Sequence, residues 1–244
     1  MKHTYEELAG MIDHSLLHPA LTDAQIEEGC RLAARYRVAS VCVKPAAVPL
    51  AAAALAGTGV RVGAVAGFPH GSGTTRVKRF EIEAACEDGA QEVDATVNVG
   101  KVLGGQWDYV EKELRALCEA AHAAGAIIKI IFETDFLPDD ETKIRLCRAS
   151  ADAGADFVKT STGFGFVRGP DGRYGYRGAT ERDIRLMRAH CPSRVGVKAA
   201  GGVRDLDALI RMREAGASRC GATATAAILD EYRRRAAAEA GSTG

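Results

Sequence analysis

Residues 154–160 read GADFVKT, and the order of these residue types repeats along the chain. Gly154 and Ala155 close an amphipathic run that suits a helix. Glycine fits the left-handed position that ends a helix. The apolar pair Phe157-Val158 follows at once and reads as the start of a buried strand. The same Gly-Ala pair recurs at Gly89-Ala90, Gly125-Ala126 and Gly216-Ala217, each followed within a few residues by another strand-like run.

On either side of this stretch, short β-branched runs stand at Ile12 to Leu16, Ser40 to Val43, Val60 to Val65 and Glu92 to Val97. Four more stand at Ile127 to Phe132, Phe157 to Thr160, Val195 to Lys198 and Arg219 to Ala222. Amphipathic stretches lie between them: Thr22 to Tyr36, Asp108 to Ala124, Asp139 to Ala153, Glu181 to His190 and Leu206 to Ala215. The first opens on a capping box formed by Thr22 and Gln25. Strict alternation of strands and helices implies a parallel sheet, either open and doubly wound or closed. Eight strands favour closure. No glycine-rich dinucleotide fingerprint follows an early strand, which weighs against the open form. We therefore expect an α/β chain folded as a (β/α)8 TIM barrel, one domain over residues 1–244 with a short N-terminal extension.

Composition sets the outer limits. The 32 basic side chains balance 32 acidic ones, so no nucleic-acid or anionic-membrane partner is expected. No run of about 18 apolar residues occurs, and the N-terminus has no uninterrupted apolar signal region. A cytoplasmic protein is expected. The seven cysteines are scattered without close pairs, so they read as small core residues in a reducing compartment. The six histidines form no ligand pattern, and no metal is expected.

In a barrel, chemistry sits at the C-terminal ends of the strands. Asp13 lies on the first strand, and Cys42 and Lys44 end the second. Asp94 lies on the fourth; the fifth carries Lys129 and runs on to Glu133; Lys159 ends the sixth and Lys198 the seventh. Two lysines on neighbouring strands, both pointing inward, would disfavour each other's protonation, as would burial. A free lysine has a pKa of about 10.4, so such depression is what a Schiff-base amine needs. Asp94 nearby could move protons at the captured carbonyl. Taken alone, each residue would read as a surface lysine or a structural aspartate; the trio at one barrel mouth argues for catalysis. Gly201-Gly202 and Gly221-Ala222-Thr223 follow the last two strands, where loops commonly hold phosphate through backbone N–H groups. Cys42 reads as a buried, inert thiol.

Beyond this reading, the chain resembles the deoxyribose-phosphate aldolase family, class I aldolases, over nearly its full length. The stretches that carry the resemblance are IDHSLLHP, SVCVKP, GFPHG, EVDATVNVGK, FVKTSTGFG, VKAAGGVRD and RCGATAT, in that order. The resemblance implies a (β/α)8 barrel that cleaves 2-deoxy-D-ribose 5-phosphate to acetaldehyde and D-glyceraldehyde 3-phosphate in deoxyribonucleoside catabolism. It implies no metal or organic cofactor, small phosphosugar and aldehyde substrates, and a homodimer. It assigns the Schiff base to Lys159, perturbation of that lysine and proton shuttling to Lys198, and proton transfer to Asp94. It places phosphate contacts at Gly163, Gly201, Gly202, Gly221 and Thr223, with Asp13 and Thr162 in support. Another class I phosphosugar aldolase and a non-catalytic phosphosugar-binding barrel remain as alternatives. Three features depart from many relatives: Ala200, Ala224, and a longer segment from Phe166 to Arg177. That segment has a Pro170-Asp171-Gly172 turn and reads as a hairpin. Two expectations stand side by side for it: a lid supplying Arg168, Arg173 or Arg177 to the substrate, or a solvated surface hairpin.

Overall fold

The computed structural model describes residues 2–137 and 139–242. After a short helix α1 (Tyr5–Ala9), strand β1 (Ile12–Leu16) leads to α2 (Asp23–Tyr36), β2 (Ser40–Val43), α3 (Val48–Leu55) and β3 (Arg61–Ala66). Then come α4 (Thr75–Glu87), β4 (Glu92–Thr96), α5 (Val99–Leu103), α6 (Trp107–Ala123), β5 (Ile127–Ile131) and α7 (Asp140–Asp152). The chain continues through β6 (Phe157–Lys159), a hairpin of β7 (Val167–Arg168) and β8 (Tyr174–Gly175), and α8 (Glu181–His190). It ends with β9 (Gly196–Ala200), α9 (Leu206–Ala215), β10 (Arg219–Ala222) and α10 (Thr225–Ser242). Eight parallel strands close in the order β1-β10-β9-β6-β5-β4-β3-β2. The closed barrel is therefore observed; strand ends differ from the sequence reading by a residue or two, as frayed ends do.

The Gly-Ala punctuation has a single structural cause. Gly89, Gly125, Gly154 and Gly216 all have positive φ. The alanine after each donates its N–H to a carbonyl five residues back: Ala90 to Ala85, Ala126 to Ala121, Ala155 to Ser150 and Ala217 to Met212. This is the Schellman closure, in which a left-handed residue reverses the chain and satisfies orphan carbonyls. The four alanines are buried and aim the chain into the next strand. Thr22 and Gln25 form the expected capping box at α2.

The strands are not uniformly apolar, and their alternation decides which way each residue faces. On β4, Val93 and Ala95 pack outward in the main hydrophobic core, together with Ile128, Ile130, Val158, Val197 and Ala199 of the neighbouring strands. Glu92 and Asp94, on the other parity, meet cations from β5, β6, β9 and β10, and Asp13 of β1 shares three of those cations. The layer between barrel and helices is thus apolar, while the barrel interior is ionic.

Candidate active site

Parallel register places the two lysines side by side. Lys159 pairs with Lys198 between β6 and β9, and Asp94 pairs with Lys129 between β4 and β5. The amines of Lys159 and Lys198 both donate to Oδ2 of Asp94, at 2.6 and 2.7 Å. Lys129 takes the other oxygen, Oδ1, at 2.9 Å. Lys198 also lies 2.5 Å from Oδ2 of Asp13. Lys129 is 2.6 Å from Oε2 of Glu92. The Arg219 guanidinium bridges Asp13 and Glu92, and Ser40 donates to Asp13 at 2.8 Å.

These contacts form one network of three carboxylates and four cations, all buried. With Lys159 neutral, the formal charges of these buried groups cancel; the half-exposed Arg61 adds a contact to Glu92 at 3.3 Å. Burial is the largest influence on Lys159 and lowers its pKa; Asp94 pulls the other way, and the Lys198 charge adds to the lowering. Lys198 moves in the opposite direction. Burial works against its charge, but Asp13 and Asp94 outweigh it and hold the pKa above the ordinary lysine value. Lys129 is likewise held protonated by Asp13, Asp94 and Glu92 against the cost of burial. Burial would raise the Asp94 pKa, but Lys129, Lys159 and Lys198 together hold it well below the usual carboxylate range. The two lysines are thus split: one destabilised as a cation, the other secured as one.

Above this network opens a cavity of about 570 Å³. Lys159 and Lys198 reach its wall, as do Asp13, Thr162, Gly163, Gly201, Gly202, Gly221 and Thr223. Of the catalytic trio and the phosphate-binding and supporting residues named from the sequence, all line this cavity except Asp94. Asp94 lies beneath the wall, fully buried, and connects to the cavity through the two amines. The backbone N–H groups of Gly163, Gly201, Gly202 and Thr223 have no protein acceptor among the described residues. All four residues line the cavity, as does Arg204. Gly201 and Gly202 have φ of 88° and 86°, a conformation glycine adopts freely. A Cβ at Gly221 would sit 3.6 Å from Lys198 Cε, so glycine keeps the space beside that amine open.

The apolar neighbours of the Lys159 amine are not its strand neighbours Phe157 and Val158. Val158 faces the helices, and Phe157 lies over Arg219, with its ring centroid 5.8 Å from the guanidinium carbon. The groups beside the amine are Phe68, whose centroid is 6.0 Å from Nζ, and Phe164, edge-to-face with Phe68. Phe68 comes from the GFPHG stretch. Cys42 joins them on the wall, with burial pushing its thiol up to about 11, which disfavours thiolate chemistry. Of the two single-residue departures from relatives, Ala200 lines the cavity, whereas Ala224 packs half-buried against the core.

The Phe166–Arg177 segment is the expected hairpin, with β7 and β8 antiparallel. Its three arginines are exposed and off the cavity wall. Arg168 bonds the Gly172 carbonyl, and Arg177 pairs with Asp135. Phe166 and Tyr176 line the wall instead, edge-to-face at 5.4 Å. The arginine-supplying form of the lid expectation is therefore corrected: the hairpin offers aromatic rings.

Lys129, Glu92 and Arg219 belong to the network but were given no role from the sequence. Their signal was parity: Glu92 and Asp94 stand two apart on one strand, so they share a face. Among the described residues, no helix is long and apolar enough to cross a membrane.

Residues 8–232 match the DeoC/LacD family aldolase. A deoxyribose-phosphate aldolase of Rhodopirellula baltica is 50% identical over 233 residues, covering 96% of this chain and 92% of its own. A solved structure described as a deoxyribose-phosphate aldolase from Coccidioides immitis superimposes with TM-score 0.86 at 38% identity, covering 95% of this chain and 87% of its own. A tetrameric deoxyribose phosphate aldolase from Aeropyrum pernix gives TM-score 0.83 at 29% identity, covering 94% and 92%. With the barrel, the paired lysines and these likenesses together, the chain belongs to the DeoC/LacD family of aldolases.

Proposed function

We propose that this chain cleaves 2-deoxy-D-ribose 5-phosphate, reversibly, to acetaldehyde and D-glyceraldehyde 3-phosphate through a Schiff base on Lys159. The observation that carries the reading is the pair of amines on one Asp94 oxygen, with pKa values driven apart. A nucleophile must be neutral and a proton donor must be charged; opposite shifts on adjacent lysines meet both needs.

The steps follow from that assignment. Neutral Lys159 attacks the C1 aldehyde of the open-chain sugar. Lys198 donates the proton that lets water leave the carbinolamine, and an iminium forms. In place of the proton transfer expected of it, Asp94, held as an anion, stabilises the cationic nitrogen and accepts a hydrogen bond from Lys198. Lys198, neutral after donating its proton, takes the C3 hydroxyl proton through water; the C2–C3 bond breaks and its electrons pass to the iminium nitrogen, leaving an enamine. Carbon count requires that bond: two carbons leave as acetaldehyde, three as glyceraldehyde 3-phosphate. Protonation of the enamine at C2 and hydrolysis regenerate the lysine. The iminium is the electron sink, so the sequence of steps calls for neither metal nor organic cofactor. The free N–H groups of Gly163, Gly201, Gly202 and Thr223, with the space left by Gly221, would receive the phosphate, and this remote binding orients the reacting carbons. Asp13 supports Lys198, and Thr162 supports the loop that bears Gly163.

The same reading sets the protein in the cytoplasm, in deoxyribonucleoside catabolism, as a single domain that assembles as a homodimer. The direct test is borohydride reduction in the presence of substrate, with peptide mapping, alongside a coupled assay for glyceraldehyde 3-phosphate. The adduct is expected on Lys159. An adduct on another residue sinks the assignment.

A further inference from the structure

Glu133 lies just beyond β5, buried, and among the described residues it has no ion-pair partner. Its backbone is left-handed, with φ of 57° and ψ of 64°. That conformation is uncommon and strained for a residue with a long side chain. A local break in the ladder accounts for it. In an unbroken parallel ladder, donors two residues apart on one strand meet acceptors two residues apart on the next. Here Phe132 N–H bonds the Lys159 carbonyl at 3.0 Å, but Thr134 N–H bonds Thr160 at 2.9 Å. Glu133 is therefore an extra residue, a bulge that redirects its side chain.

The redirected carboxylate grips the loop after Lys159. Oε1 accepts from Thr162 N–H at 3.1 Å, and Oε2 accepts from the same N–H at 3.3 Å and from the Thr162 hydroxyl. The hydroxyl in turn accepts from Phe164 N–H at 3.0 Å. These bonds occupy the donors on both sides of Gly163, whose own N–H is left facing no protein acceptor. Gly165 makes room for the carboxylate, since a Cβ there would lie 2.4 Å from Glu133 Cδ. Strain, burial without a counter-ion and a glycine cleared for close approach converge on one contact.

We propose that Glu133 is a positioning residue that holds the 160–165 loop so that Gly163 presents its N–H to the substrate phosphate. This rests on the aldolase reading above. Glu133 touches no reacting atom, so its effect belongs to recognition of the phosphate and not to the carbon chemistry.

The test compares Glu133→Gln with the parent on 2-deoxyribose 5-phosphate and on unphosphorylated 2-deoxyribose. Glutamine keeps the shape but replaces one acceptor by a donor. We expect kcat/KM on the phosphorylated sugar to fall at least tenfold, mainly through KM. The value on the unphosphorylated sugar should change less than threefold. Thr162→Val, which removes only the hydroxyl, should share the loss of phosphate preference, and the double variant should be little worse than either single one. Equal losses on both sugars, no loss on either, or additive losses in the double variant overturn the proposal. A parent enzyme that releases glyceraldehyde 3-phosphate while Glu133→Gln keeps the full phosphate preference overturns this proposal alone. A parent that releases none overturns the aldolase reading and this proposal with it.

Discussion

Lys159 and Lys198 have the same chemistry, adjacent strands and a shared acceptor, yet opposite protonation preferences. The difference is one carboxylate: Lys198 also has Asp13 at 2.5 Å, and Lys159 does not. Two consequences can be measured. Lys198→Leu removes a charge that lowers the Lys159 pKa and leaves Asp94 with fewer competing cations, so both effects raise that pKa. The acidic limb of the kcat/KM profile should move to higher pH, and kcat should fall on the order of 10²-fold or more through loss of the proton donor. A profile that stays in place would refute the coupling. Lys159→Met should abolish turnover yet raise stability. A base whose folded pKa is lowered costs stability at every pH where the unfolded chain holds the proton, and the cost disappears only above the unfolded value. Removing it also leaves three carboxylates facing three cations. Relief of that cost is read as a higher urea midpoint for Lys159→Met than for the parent.

At the scale of elements, the hairpin of β7 and β8 is docked, not free. Gly178 N–H donates to Asp135 at 2.9 Å and Ala179 N–H to Gly201 at 3.1 Å. Gly178 has φ of 71°, and a Cβ there would sit 2.6 Å from the Gly201 carbonyl oxygen. The foot of the hairpin thus rests directly on the glycine loop that lines the cavity. Tyr176 rides on this foot, its ring 3.4 Å from where a Gly201 side chain would begin. Tyr176→Ala should raise KM about three- to tenfold with kcat kept, the pattern of lost uniform binding. Arg173→Ala should change neither constant. Steady-state kinetics of the two variants separates an aromatic wall from an arginine-bearing lid; a large KM effect from Arg173→Ala would restore the latter.

Over the whole molecule, the barrel interior holds its ion pairs where a barrel usually holds branched apolar side chains. The helices and outward strand faces carry the hydrophobic core, so the interior is free to serve chemistry. This arrangement sets the acid limit. The pKa values of Asp94 and Glu92 are held below their ordinary values, against burial, by Lys129 and the other cations, and Asp13 is lowered by Lys129, Lys198 and Arg219. Groups lowered on folding contribute fully above the unfolded carboxylate pKa and lose that contribution as pH falls through their folded values. Stability should hold down to about pH 5 and then drop, with about 3–5 kcal/mol lost for a buried pair broken. Because the pairs are buried, 1 M NaCl should scarcely alter the drop, since screening acts on exposed charges. Urea titrations across pH at two salt concentrations check this. A drop that salt abolishes would assign it to the surface.

Much of this was legible in the residue order because it depends on local rules. The four Gly-Ala pairs announce helix ends through backbone conformation alone, and alternation of runs implies a parallel, closed sheet. Lys159, Lys198 and the glycine loops could be placed at one mouth because strand ends of a barrel share a face. What the order could not supply was distance across the barrel. Lys129 was visible on its strand, but its partners Glu92 and Asp13 lie 37 and 116 positions earlier in the chain. Only closure brings them within reach, and only the second carboxylate beside Lys198 splits two equivalent lysines into a base and a cation. The bulge at Glu133 was equally hidden, because an extra residue in a ladder is defined by its neighbour strand. Helix caps and strand parity are properties of a few consecutive residues; protonation and loop posture belong to contacts that exist once the barrel is shut.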